Sequence, residues 1–289
     1  MEMTNEPQLR SFAQREAPFL KPLMNSLLRR LDRNPKSERD LERLASTHRK
    51  VGDLESALNA YAQICEFAPD NTQAQYWFHS LRGKKTPVRP NTDIRPGRFV
   101  CLDEFLTQDQ YEKVLNLPQL VQDNFRISSV RSLDSGATHR EQTVRNSWSA
   151  PLDCPCWFRR SIDAITQRTM ACLGYGKSKF QAKGFRLTHY RNGDFFSIHR
   201  DARIGADQPV AAFIYYFEFP SYGFEGGELV IYDTSLPTES PSVYYTKLKP
   251  ISNRIVFLHT FDFHEVLAVS CSSEWKAGRF SITGLVYET

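Results

Sequence analysis

The chain has 289 residues, a formal net charge of +4 and 40% hydrophobic residues, which is enough for one large packed domain or two smaller ones and excludes a wholly disordered chain. No apolar run approaches the roughly 18 residues of a membrane span, the start at Met1–Glu6 lacks the basic and apolar regions of a signal peptide, and a pI near 8.7 is too mild to imply nucleic acid. The six cysteines are scattered, and only Cys154-Pro-Cys156 is close-spaced, without a second pair to complete a zinc site; they read as reduced thiols of a cytoplasmic protein.

Residues 1–82 predict helices. Leucines recur at spacings of three and four in Leu23–Leu31, Leu41–Ala45 and Leu54–Tyr61, which puts one apolar face on each helix. Pro35 and Pro69 lie 34 residues apart, the period of a tetratricopeptide repeat. Between them Gly52 would end one helix, Ala57 would let two helices approach, and Pro69 would stop the second. One repeat thus resembles that family, flanked by partial ones, over a module spanning 1–85. Residues 86–98 are rich in proline and basic residues and read as a semi-rigid linker.

A third region, 99–289, begins with a short strand and turn at Phe99–Leu106. Thr107 caps a helix from Gln108 to about Asn116, and a second helix runs from Cys156 to Leu173. Strands follow at Phe185–Tyr190, Ala211–Phe219, Glu228–Tyr232, Arg254–Leu258, Glu265–Ser270 and Arg279–Tyr287. Many short strands separated by turns such as Arg191-Asn192-Gly193, with two helices ahead of them, predict an α+β fold: a jelly roll whose helices back one sheet.

The segment Tyr190-Arg191-Asn192-Gly193-Asp194-Phe195-Phe196-Ser197-Ile198-His199-Arg200-Asp201 carries the chemistry. In extended chain, residues i and i+2 point to one side, so His199 and Asp201 can present an imidazole and a carboxylate to one point. His264 qualifies as a third ligand from elsewhere. Two histidines and a carboxylate on one face, with the other face open, is the arrangement of non-heme Fe(II) oxygenases. Arg279, on a strand 15 residues beyond His264, suits a carboxylate because its planar fork binds one bidentately.

These residues, with Ala212–Tyr216, Glu225–Leu229, His264–Val266 and Arg279–Gly284 in the same order, resemble the prolyl 4-hydroxylase-like branch of the 2-oxoglutarate/Fe(II) dioxygenases. The resemblance covers roughly 99–289, including Val144–Ser147. It implies a double-stranded β-helix in which His199, Asp201 and His264 ligate Fe(II) and serve as the catalytic set. It further implies that Arg279 pairs with the distal carboxylate of 2-oxoglutarate, that Tyr190 lies beside the cosubstrate, and that Tyr216 hydrogen-bonds the same carboxylate, with Tyr215 the alternative if the register shifts by one. Thr283, on alternate sites from Arg279, would touch it too. Arg145 and Ser147 lie where that family approaches its substrate. Gly226 and Gly227 read as a structural tight turn, and His189 and His259 as structural histidines. The stretch from His264 to Arg279 is about five residues longer than is usual in the family, through Cys271–Trp275.

The implied cofactors are Fe(II), 2-oxoglutarate and O2, with ascorbate as a reductant. The implied activity is oxidation of a C–H bond with release of succinate and CO2. The repeat-like module favours hydroxylation of a peptide or protein side chain; Tyr61, Tyr76 and Trp77 are candidate aromatic contacts, with core packing the favoured use of each. The alternative is a small-molecule hydroxylase, such as one acting on an amino acid, in which the helical module serves homodimerisation or rigidity and Arg145, Arg191, Arg200 and Arg203 meet an anionic substrate. No nucleic-acid or membrane partner is expected.

Overall fold

The computed structural model describes residues 11–86, 93–131, 138–202 and 208–289. Four helices open the chain: α1 Phe12–Leu31, α2 Glu38–Val51, α3 Leu54–Phe67 and α4 Thr72–Ser80. Three of the four starts are capped by a side chain. Ser11 and Gln14 form a capping box on α1, and Asp53 and Asn71 accept backbone N–H groups at the starts of α3 and α4. Gly52, at φ +80°, ends α2 in the left-handed conformation and lets the chain reverse into α3 within two residues. Helix α1 begins well before the Leu23 stripe and runs through Pro18 and Pro22. Both prolines face solvent, while Ala13, Leu20 and Leu27 carry its buried side.

The β region contains β1 Ile94–Arg95, β2 Phe99–Leu102, β3 Arg126–Ile127, β4 Val130–Arg131, β5 Thr138–His139, β6 Arg145–Asn146, β7 Trp148–Pro151, β8 Phe180–Tyr190, β9 Phe195–His199 and β10 Ala211–Phe217. It continues with β11 Phe224–Gly226, β12 Leu229–Ser235, β13 Ser240–Leu248, β14 Ile255–His259, β15 His264–Val266, β16 Val269–Cys271 and β17 Arg279–Glu288. Two antiparallel sheets dominate. The seven-stranded one has the order β2-β14-β10-β17-β8-β7-β3; the other runs β1-β12-β15-β9-β6, with β13 beside β12. Helices α5 Gln108–Leu115 and α6 Cys156–Cys172 cover the outer face of the larger sheet. Val114, Phe158, Ile162 and Met170 pack there on Leu187, Phe213, Tyr215, Phe257 and Ile282. The alternate residues of the same strands face the smaller sheet. This is the jelly roll expected from the turn spacing.

Three differences from the sequence reading have physical causes. The single strand expected at Glu265–Ser270 is two: β15 joins the smaller sheet and β16 pairs with β11. Strand β13 was not expected, because Pro241 breaks a strand pattern; it is tolerated here because β13 pairs with β12 alone. Of the linker expected over 86–98, residues 87–92 lie outside the described residues, and Ile94–Arg95 pair with Thr234–Ser235. Gly97 lies so close to the sheet that a Cβ would meet Ile231 Cγ2 at 2.7 Å.

The helices share a core with the smaller sheet: Tyr61 and Trp77 cluster with Leu229, Ile231 and Leu248. At its centre Arg49, 1% exposed, donates to Asp233 at 2.9 and 3.2 Å and to Thr246 Oγ1 at 2.9 Å. Its guanidinium lies 3.3 Å over the Trp77 ring. Breaking a buried pair strands the remaining charge, at a cost of about 3–5 kcal/mol. Arg49→Met is therefore expected to lower the unfolding free energy by that much, read as a lower denaturant midpoint at constant m-value.

Candidate active site

Register builds the site. His199 ends β9, His264 begins β15, and the two are paired across the smaller sheet; their rings are 4.1 Å apart. Asp201, two residues beyond His199, reaches both: its carboxylate oxygens lie 3.8 Å from His199 Nε2 and 3.6 Å from His264 Nε2. One donor atom from each of the three lies within 4.8 Å of the others. The tautomers follow from the far side of each ring. His199 Nδ1 is 2.8 Å from the Ser197 carbonyl and His264 Nδ1 is 3.0 Å from the Asp262 carbonyl. A carbonyl only accepts, so each Nδ1 carries the proton and each Nε2 lone pair points at the shared space, as a metal requires. Burial first, and the neighbouring His264 second, hold the His199 pKa well below the usual histidine value, so its ring is neutral. The donor set fits Fe(II): two imidazoles and one carboxylate, all on one side.

The opposite wall belongs to the larger sheet. Arg279 opens β17 and pairs in register with Tyr190 at the end of β8. It is 2% exposed. Nη2 donates to the Tyr216 hydroxyl at 3.3 Å, and the guanidinium lies 4.9 and 4.8 Å from the Tyr190 and Tyr216 rings. Its Nε has no hydrogen-bond partner among the described residues, and no carboxylate pairs with it there. A buried guanidinium held by two aromatic faces and one hydroxyl is built to receive an anion. Gly227 makes room for it: at φ +65°, a Cβ there would lie 2.8 Å from Arg279 Cδ.

Between the walls lies a cavity of about 470 Å³ lined by His199, Asp201, His264, Arg279, Tyr190 and Thr283 among others. Period-two alternation puts Arg186, Thr188 and Tyr190 of β8 and Arg279, Ser281 and Thr283 of β17 on this inner face. Thr283 Oγ1 is 3.5 Å from Thr188 Oγ1. Tyr216, not Tyr215, serves this side: the Tyr215 hydroxyl donates to Asn253 at 3.1 Å and its ring packs on Phe158 of α6. Arg145 also lines the cavity, 4.6 Å over Phe196, which in turn stacks at 3.5 Å on His199. Ser147 is fully buried. It accepts from Arg145 Nε at 2.9 Å and donates to Ser128 at 2.9 Å, so it braces Arg145 and does not reach the cavity.

Ser281 is the residue that sequence reasoning passed over. It is fully buried, its hydroxyl has no partner among the described residues, and it lines the cavity two places from Arg279. The alternation used to select Thr283 contained the signal. His189 and His259 stand apart from the triad. His189 stacks at 3.7 Å on Phe280, and its Nε2 is 2.8 Å from the Ala277 carbonyl; burial lowers its pKa to about 4. His259 stacks on Tyr175 and, by burial, falls to about 3. The long connection before Arg279 is also explained: β16 closes a small sheet with β11, and Trp275 packs 5.0 Å from Phe125 and 4.6 Å from His189. Of the four arginines offered for an anionic substrate, Arg203 lies outside the described residues. Arg191 lies 6.0 Å from the Trp148 and Trp275 rings, and Arg200 packs 3.8 Å over Phe263.

Residues 185–287 match a family model described as the 2OG-Fe(II) oxygenase superfamily. An uncharacterized PKHD-type hydroxylase of Synechocystis sp. is 24% identical over 197 residues, covering 66% of this chain and 63% of its own length, so the chain spans under two thirds of that relative. Among solved structures, a Pseudomonas putida prolyl-4-hydroxylase aligns at 15% identity with a TM-score of 0.45, over 66% of this chain and 92% of that one. The epimerase SnoN from nogalamycin biosynthesis aligns at 13% identity with a TM-score of 0.46, over 66% of this chain and 77% of that one. Among the described residues, no helix is long and apolar enough to cross a membrane.

Proposed function

We propose that the chain, whose residues 185–287 match the 2OG-Fe(II) oxygenase superfamily model, is a 2-oxoglutarate- and O2-dependent oxygenase that hydroxylates a C–H bond of a peptide or protein side chain. The observation that carries the reading is the pairing, across one cavity, of the His199–Asp201–His264 donor set with a buried Arg279 that has no carboxylate partner among the described residues.

Each residue has a part. His199, Asp201 and His264 would hold Fe(II), with the protonated Nδ1 atoms fixing the ring orientations. Arg279 and Tyr216 would bind the distal carboxylate of 2-oxoglutarate, and Ser281 and Thr283 would add hydroxyls on the same strand. Tyr190 would close one side. When bound, the iron and its cosubstrate supply the oxidising chemistry, with succinate and CO2 as co-products. The protein's task is to orient the substrate and keep water from the centre. Arg145, braced by Ser147 and stacked on Phe196, would meet the substrate at the mouth.

One observation favours the alternative, a small molecule. Tyr61, Tyr76 and Trp77 are 2%, 7% and 0% exposed, so these aromatics of the repeat-like module belong to the core and offer nothing to a peptide. The module then serves as a rigid support for the smaller sheet. The two readings separate in one assay. Succinate release is measured with iron, 2-oxoglutarate and either a peptide pool or a pool of free amino acids, and mass spectrometry locates the added oxygen. Stimulation by peptides alone supports the first reading, and stimulation by free amino acids alone replaces it.

A further inference from the structure

The turn 259–263, which joins β14 to β15, touches two of the three metal-site residues. The Asp262 carbonyl accepts from His264 Nδ1 at 3.0 Å. The Thr260 carbonyl accepts from the N–H of Ala202, the residue after Asp201, at 2.9 Å. One short turn thus orients the ring of one ligand and the backbone beside another.

What holds the turn is a buried charge. The Asp262 side chain is 0% exposed. Its Oδ2 accepts the Arg98 backbone N–H at 2.8 Å and lies 3.5 Å from Arg98 Nε, and its Oδ1 accepts from Arg95 Nη2 at 3.4 Å. The Arg98 carbonyl accepts from His259 N–H at 3.1 Å, which completes a two-way clasp between the turn and residues 95–98. That segment is itself fixed, because Gly97 N–H donates at 3.0 Å to Asp233, the partner of Arg49 on α2. A carboxylate at 0% exposure is expensive to desolvate. An apolar side chain could fill the volume but could not accept from Arg95 and Arg98, and the turn would lose its anchor.

We propose that Asp262 is a positioning residue for the metal centre: its carboxylate clamps the 259–263 turn to the 95–98 segment and thereby fixes the His264 imidazole and the backbone beside Asp201. The proposal rests on the reading of His199, Asp201 and His264 as metal ligands. Residues that orient ligands in this way typically contribute 10–100-fold to metal affinity.

The test is anaerobic titration of the full chain with Co(II) alone, followed by its visible ligand-field spectrum. Thermal unfolding is measured in parallel. Asp262→Ala is expected to weaken Co(II) binding by about 10–100-fold and to change the spectrum. Asp262→Asn, which keeps an acceptor for the Arg98 N–H, should recover part of the affinity. The control is Asp103→Ala, which removes the ion pair to Arg254, with oxygens at 2.5 and 2.9 Å; it should lower stability and leave Co(II) affinity and spectrum unchanged. Wild-type affinity and spectrum in Asp262→Ala would overturn the proposal, as would a loss no greater than in Asp103→Ala. Should Asp262→Ala not fold, Asp262→Asn decides alone: an unchanged affinity and spectrum refutes the role. Wild type that binds no Co(II) removes the metal-centre reading itself, a separate outcome.

Discussion

Alanine at His199 or Asp201 is expected to lower substrate-coupled turnover by at least ~10³-fold, equivalent to about 4 kcal/mol of barrier. The site offers one donor from each of three side chains, and removing one leaves too few to hold a metal in a defined geometry. Asp201 has the additional role of supplying the only negative charge among the three. The check is metal content by elemental analysis together with succinate release. A His199→Ala protein that keeps a tenth or more of wild-type turnover would remove the triad from the mechanism.

Arg279→Met is expected to raise the KM for 2-oxoglutarate by about 100-fold, since a bidentate charge-assisted contact is worth a few kcal/mol. Stability gives a second, independent readout. Arg279 is buried with one hydroxyl contact and two ring faces and no acid partner among the described residues. Replacing it with an apolar side chain in the absence of cosubstrate should therefore leave the unfolding midpoint unchanged or raise it. Arg49, equally buried but paired with Asp233, should behave in the opposite way on the same substitution. An Arg279→Met protein with wild-type KM and a lowered midpoint would mark the residue as structural.

These contrasts bear on what the sequence could say. Alternation by two residues is local, so the His199–Asp201 pair and the Arg279–Thr283 face were legible before any fold was known. The cap at Thr107 and the helix end at Gly52 were legible for the same reason: each depends on neighbours within a few positions. Partnerships across long separations were not. Nothing local to Asp262 distinguishes it from a solvated aspartate, because its partners Arg95 and Arg98 come from a stretch that reads as linker. Trp275 likewise looked like part of a longer turn, yet it caps an aromatic cluster with Phe125, His189 and Phe280. The aromatic residues of α3 and α4 show both sides: core packing is the favoured use of Tyr61 and Trp77 and they are buried, but the strands that bury them, β12 and β13, lie more than 140 residues further along the chain.

In the proposed function, one cavity joins an iron site to a 2-oxoglutarate site. Anaerobic titration with Fe(II) and 2-oxoglutarate, followed by the visible metal-to-ligand charge-transfer band, tests it most directly. The expected result is a band in the wild type, none in His199→Ala, and a band in Arg279→Met only at much higher 2-oxoglutarate. A folded, iron-loaded wild-type protein that develops no band would contradict it.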